Sequence, residues 1–154
     1  MQAATFRAGA SVVRLLLSRS GAMAIELREL PAVPDGPVKV AIADLPVPAE
    51  DFRLRHKTSD RAFHDEARAA SGAFEVAFRD ADGCLTEGSF TSLFVARDGM
   101  LLTPPLSRGL LPGILRERLI EEGRAREADL TEADLADGFL IGNAVRGLIP
   151  AVRA

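Results

Sequence analysis

Residues 11–18 (SVVRLLLS) and 23–27 (MAIEL) are apolar-rich runs with Ser20 and Gly21 between them, and they predict two strands joined as a hairpin. Prolines space residues 31–37. Residues 38–43 (VKVAIA) then alternate as a strand does, and Pro46 and Pro48 mark a loop. Over residues 60–70 (DRAFHDEARAA) the period changes. Phe63, Ala67 and Ala70 recur at i, i+4 and i+7, which predicts a helix ended by Ser71 and Gly72. Residues 74–78 (FEVAF), 93–96 (LFVA) and 100–103 (MLLT) read as strands, separated by turns at residues 80–83 (DADG) and at Asp98 and Gly99. A second helix is expected over residues 113–122, between Pro112 and Gly123. A third, short one covers TEADLAD, with Thr131 as its cap and Asp134 in the third position of a capping box. Residues 139–141 form an apolar strand that Gly142, Asn143 and Ala144 interrupt, and residues 148–152 continue it. The sum is an α+β chain with a mainly antiparallel sheet.

Composition narrows the classes. The chain has 154 residues, 47% hydrophobic and 27% charged, as one modest globular domain requires. No apolar run approaches the roughly 20 residues of a membrane span, and Arg14 breaks the apolar stretch that a signal peptide would need. The formal net charge is −3 with both signs mixed, which argues against a nucleic-acid surface. A single cysteine, Cys84, excludes an internal disulfide, offers no metal cluster and makes a reducing cytoplasm the expected compartment.

Four stretches could carry chemistry, and each has a plain structural alternative. Of the 19 basic residues only Lys39 and Lys57 are lysines, and Lys57 stands in RLRHKTSDR between Arg55 and Arg61. Lysine forms Schiff bases with carbonyls once deprotonated, and neighbouring cations favour that loss; a solvated basic loop would look the same. Glu87 in LTEGSFTSLF places a carboxylate at a strand end before Gly88 and the hydroxyls of Ser89, Thr91 and Ser92, or simply makes a polar turn. In LLPGILRE, Gly113 opens a helix whose first amides, near Ile114 and Leu115, could bind phosphate, as those of any helix could. Gly142 and Asn143 in IGNAVRG suggest a backbone kink near a ligand, or a bulge without function. His56 and His64 lack a third group to orient them as bases, and no metal-ligand spacing occurs.

The order of these stretches carries more than any one of them. "KTSDR", "LTEGSFTSLFV", "LLTPP…GLLPGILRE" and "GNAVRGLIP" together resemble the large domain of the fold-type IV pyridoxal-phosphate enzymes, over roughly residues 52–152. These are the class IV aminotransferases and 4-amino-4-deoxychorismate lyases. The resemblance implies a D-amino acid aminotransferase-like fold, a mainly antiparallel sheet or barrel with flanking helices, and pyridoxal 5'-phosphate (PLP) as cofactor. It implies that Lys57 carries the cofactor, a bond that arginine cannot form because its guanidinium stays protonated. Glu87 would pair with the pyridine nitrogen, and the amides of Ile114 and Leu115 would hold the phosphate. Asn143 and Ala144 would form a second phosphate-side loop, and Arg61 would shape the pocket.

Within the family, the Asn-plus-small pair of GNAVRG and the short KTSDR spacing resemble the lyases, above all the lyase domain fused behind aminodeoxychorismate synthase component I. Transaminases tend to carry a threonine-rich stretch there. The implied reaction turns 4-amino-4-deoxychorismate into 4-aminobenzoate and pyruvate, a step of folate biosynthesis. The alternatives are a branched-chain or D-amino acid transaminase, and a shortened, non-catalytic domain of the same fold. The family usually has a small N-terminal domain ahead of this region and works as a homodimer. Residues 1–50 are therefore expected to be a remnant of that domain with its connection, and residues 51–154 the PLP-binding large domain.

Overall fold

The computed structural model describes residues 10–154, which fall into two compact units divided between Val33 and Pro34. In the first unit, β1 (Ser11–Leu17) pairs antiparallel with β2 (Met23–Glu29). The register sets Val13 against Leu27, Leu15 against Ile25 and Leu17 against Met23. Alternation therefore gathers six apolar side chains on one face of the hairpin, and all six are exposed. The other face carries Arg14, Glu26 and Arg28, linked as ion pairs.

The second unit is built on an eight-stranded sheet in the order β5-β4-β3-β10-β9-β6-β7-β8. Its strands are β3 (Val38–Asp44), β4 (Glu75–Arg79), β5 (Leu85–Gly88), β6 (Ser92–Arg97), β7 (Met100–Thr103), β8 (Ala125–Glu127), β9 (Phe139–Asn143) and β10 (Gly147–Arg153). Four of its pairings are antiparallel, and the β3–β10, β3–β4 and β7–β8 pairings are parallel. The sheet is thus mixed, because helices and long connections return the chain to these strands in the same sense. Strand β3 lies between β10 and β4, within the second unit.

Three α-helices flank the sheet: α1 (Phe52–Arg55), α2 (Ala62–Ser71) and α3 (Ile114–Glu121). Helix α2 ends at Gly72, which takes a left-handed conformation as the Ser-Gly signal requires. Helix α3 fills the expected span with Gly113 as its N-cap. The third expected helix is a single 3-10 turn, Glu132–Leu135. Its capping box is formed in full between Thr131 and Asp134, and Gly138 with φ 89° prevents a longer helix. Two strands and one helical turn lack a sequence signature: β5 is buried throughout and shows no alternation, β8 has three residues, and α1 is one turn capped by the Asp51 carboxylate, which accepts from Arg53 N at 2.9 Å.

Expected as an interrupted strand, residues 139–152 instead form the β9–β10 hairpin. Asn143 turns it: its Oδ1 accepts from the amides of Val145 and Arg146, both at 3.0 Å. The main core runs along the middle of the sheet, where Leu93, Ile141 and Ile149 face one another in register across β6, β9 and β10. A smaller cluster of Phe94, Leu119 and Ala125 seats α3 on the sheet. No helix among the described residues is long and apolar enough to cross a membrane.

Ile141 has no solvent exposure and stands at the centre of that row. Ile141→Ala is expected to cost about 2–5 kcal/mol and Ile141→Val about 0.5–1.5 kcal/mol. Urea unfolding should show this as a lower midpoint at unchanged slope.

Candidate active site

All seven residues singled out from the sequence, Lys57, Arg61, Glu87, Ile114, Leu115, Asn143 and Ala144, line one cavity of about 430 Å³. That size lies in the range of roughly 300–1,000 Å³ typical of small-molecule and cofactor sites. Four separate parts of the chain converge on it. The α1–α2 connection brings Lys57 and Arg61, β5 brings Glu87, the start of α3 brings Ile114 and Leu115, and the β9–β10 turn brings Asn143 and Ala144.

Lys57 follows α1 in an exposed connection that the Asp51 cap and an internal turn shape. In that turn the amide of Asp60 donates to Thr58 Oγ1 at 3.2 Å. Arg61 caps α2 and its guanidinium donates to the carbonyl of Ser89. Asn143 Nδ2 donates to the carbonyl of Phe90 at 3.1 Å. Arg61 and Asn143 therefore both grip the turn at residues 88–91, a role that residue type and spacing did not reveal. The N-terminus of α3 has no side-chain cap, which leaves its first-turn amides for another acceptor. Leu115 packs against Gly142, where a Cβ would lie 2.8 Å from Leu115 Cδ2 and 2.5 Å from Gly147 O, so the close approach of β9 to the β10 backbone is one that only glycine permits.

Glu87 is buried, with 8% of its surface exposed, and its Oε2 accepts from Leu111 N at 3.1 Å. Burial pushes its carboxyl up from 4.5 to about 7. The Leu111 amide and the charges of Lys57 and Arg61 pull the other way, and the Glu75 charge adds to the rise. A carboxyl poised near neutrality in a cavity with a lysine is an arrangement suited to proton handling.

The burial of two groups, Glu75 and His64, has no signal in the sequence. Glu75 opens β4 and carries no solvent exposure; strand alternation gives it no special standing. His64 is the buried residue of α2, where the apolar periodicity pointed to Phe63, Ala67 and Ala70. Its ring stacks on Phe63 at 3.9 Å and meets Phe78 edge-on at 5.6 Å, and its Nδ1 has no hydrogen-bond partner among the described residues. Burial first, then the Arg61 charge, lowers its pKa from 6.5 to about 4, so the imidazole is neutral at pH 7.

The two displaced pKa values act on stability in opposite senses. Folded Glu87 keeps a proton that the unfolded chain has released, so its contribution is whole below pH 4.5 and is lost as pH rises through about 7, a difference of about 3 kcal/mol. Folded His64 refuses a proton that the unfolded chain takes, so its contribution is present above pH 6.5 and is lost as pH falls through about 4. Glu87→Gln removes only the first. In urea unfolding at successive pH values, the variant should gain on the wild type from pH 4.5 to about 7 and then run parallel to it.

The chain is similar to known proteins over most of its length. The family model described as Amino-transferase class IV matches residues 1–154. The structure of the "Putative amino-acid aminotransferase" of Mesorhizobium loti is 36% identical, covers 94% of this chain and 73% of its own, and superposes with a TM-score of 0.86. A hypothetical aminotransferase of Mycobacterium tuberculosis in its PLP-bound form is 24% identical, covers 93% of this chain and 60% of its own, and shares the fold with a TM-score of 0.80. The "Putative aminodeoxychorismate lyase" of Schizosaccharomyces pombe is 28% identical over 123 residues, 76% of this chain and 53% of its own. The matches span from 18% to 53% of the length of the curated relatives. The chain belongs to the class IV aminotransferase family, whose cofactor is pyridoxal phosphate.

Proposed function

We propose that this chain is the PLP-binding part of an aminodeoxychorismate lyase-like enzyme, which converts 4-amino-4-deoxychorismate to 4-aminobenzoate and pyruvate for folate biosynthesis. One observation carries the reading: a cavity of cofactor size is lined together by a lysine, a buried carboxyl and the uncapped N-terminus of a helix. Each group suits one end of the cofactor. The Lys57 amine would hold it covalently. The Ile114 and Leu115 amides, at the positive end of the α3 dipole, would hold its phosphate. Glu87 would keep a proton at the ring nitrogen, and a cation there would favour the ionised carboxylate that burial otherwise opposes. When bound, the cofactor supplies an electron sink for bond breaking at the substrate. Lys57, once exchanged for the substrate amine, would act at Nζ as general base and then as general acid. The roles of Arg61 and Asn143 are to hold the turn after Glu87 in place, with Ala144 forming the neighbouring wall.

The Asn143–Ala144 pair and the S. pombe relative favour a lyase. The likeness to the M. loti protein, an amino-acid aminotransferase by name, favours the second reading, a transaminase, of branched-chain or D-amino acids by the sequence resemblance. The enzyme as a whole is proposed to be a cytoplasmic homodimer acting on a small molecule, with the unit that ends at Val33 contributing part of a smaller domain.

The chain mixed with PLP should develop visible absorption, and borohydride should fix the cofactor on Lys57, as mass spectrometry of the peptides would read. Lys57→Ala should abolish the adduct and lower pyruvate release from 4-amino-4-deoxychorismate by about 10²–10⁴-fold. Conversion of the bound cofactor to its amine form by an amino donor, without pyruvate release, would select the transaminase. Labelling shared at random with Lys39 would mark a non-catalytic domain.

A further inference from the structure

Glu75 accepts five hydrogen bonds. The donors are the amides of Val76 at 2.9 Å, Ser89 at 3.0 Å and Phe90 at 3.2 Å, with the hydroxyls of Ser89 and of Thr91, the latter at 2.7 Å. All five donors are neutral, and four belong to residues 89–91. This turn starts immediately after Glu87 and lines the cavity. Gly88 lies against the same carboxylate: a Cβ there would stand 2.8 Å from Glu75 Oε2 and 2.4 Å from Thr91 Oγ1. The turn's outward carbonyls, on Ser89 and Phe90, are those taken by Arg61 and Asn143. Residues from β4, the start of α2 and the end of β9 therefore converge on four residues, with the Glu75 carboxylate inside them.

The chemistry calls for a carboxylate in particular. Both oxygens of Glu75 accept, Oε1 from two amides and a hydroxyl, Oε2 from an amide and a hydroxyl. A glutamine keeps one accepting oxygen and turns two donor hydrogens toward other donors, so at least one side of the nest must open.

We propose that Glu75 is a positioning residue: its buried carboxylate fixes the turn at residues 88–91 and thereby holds the neighbouring Glu87 carboxyl in the cavity that Lys57 lines. The inference deepens the cofactor reading and rests on it for its consequence at the cofactor; the hold on Glu87 is a property of the chain itself.

The test reads Glu87 directly. Carbon NMR of the full chain with labelled glutamate side chains follows the Glu87 titration in the wild type, in Glu75→Gln and in the double variant Ser89→Ala/Thr91→Val, which keeps the Glu75 charge; Glu87→Gln assigns the signal. The charged groups that face Glu87 and act on this titration are Lys57, Arg61 and Glu75. In both test variants water reaches the loosened turn, and the Glu87 midpoint should drop by about one pH unit, with PLP affinity lower by tenfold or more. A Glu87 titration unchanged in the variants, whatever their loss of thermal stability, overturns the proposal. If Glu75→Gln does not fold, the double variant decides by the same criterion. A wild type that binds no PLP while the Glu87 midpoint drops in the variants removes the cofactor reading and leaves the positioning role supported.

Discussion

The Glu75 carboxylate is sealed from solvent, and the chain folds residues 88–91 around it. A buried anion without enough donors would cost several kcal/mol. Here three amides and two hydroxyls solvate it in place of water. That requirement shapes the cavity wall. The turn must lie close enough for Gly88 to touch the carboxylate, which leaves the Ser89 and Phe90 carbonyls for Arg61 and Asn143. Once those bonds form, the segments that carry Lys57, Glu87 and Ala144 border one volume.

Glu87, the second carboxyl of this region, lives under the opposite condition. It accepts from the backbone amide of Leu111, while burial works against its charge. The difference in environment assigns different work to two residues of the same type. Glu75 is satisfied by the protein and organises it. Glu87 is held by the Leu111 amide and by the charges of Lys57 and Arg61 against the cost of burial.

Away from the cavity, arginine does the joining. Arg108 bridges Asp80, Asp82 and Asp129, tying the segment before α3 to the β4–β5 turn. Arg79 joins Asp44 at the end of β3 to Glu132, and Arg153 reaches the same Glu132. The fork of a guanidinium lets one side chain serve two or three carboxylates. The preference for arginine that isolates Lys57 in the sequence thus has a structural use at the sheet's edges.

What the sequence determined by itself is local, or is carried by order along the chain. The period changes placed α2 and α3 within about two residues, Gly72 and Gly123 ended them, and the capping box at Thr131 formed as its spacing requires. Such features depend on neighbours within one turn of chain. The succession of KTSDR, TEGSFTS, PGIL and GNA marked seven residues that one cavity collects. The tertiary structure alone decided that three sheet pairings are parallel, that the GNA segment turns a hairpin, and that Glu75 and His64 are buried. The reason is distance along the chain. Four of the five donors that Glu75 meets lie 14 to 16 positions away, and Asn143 meets Phe90 by a contact spanning 53. Periodicity says which way a side chain points; only packing says what it finds there.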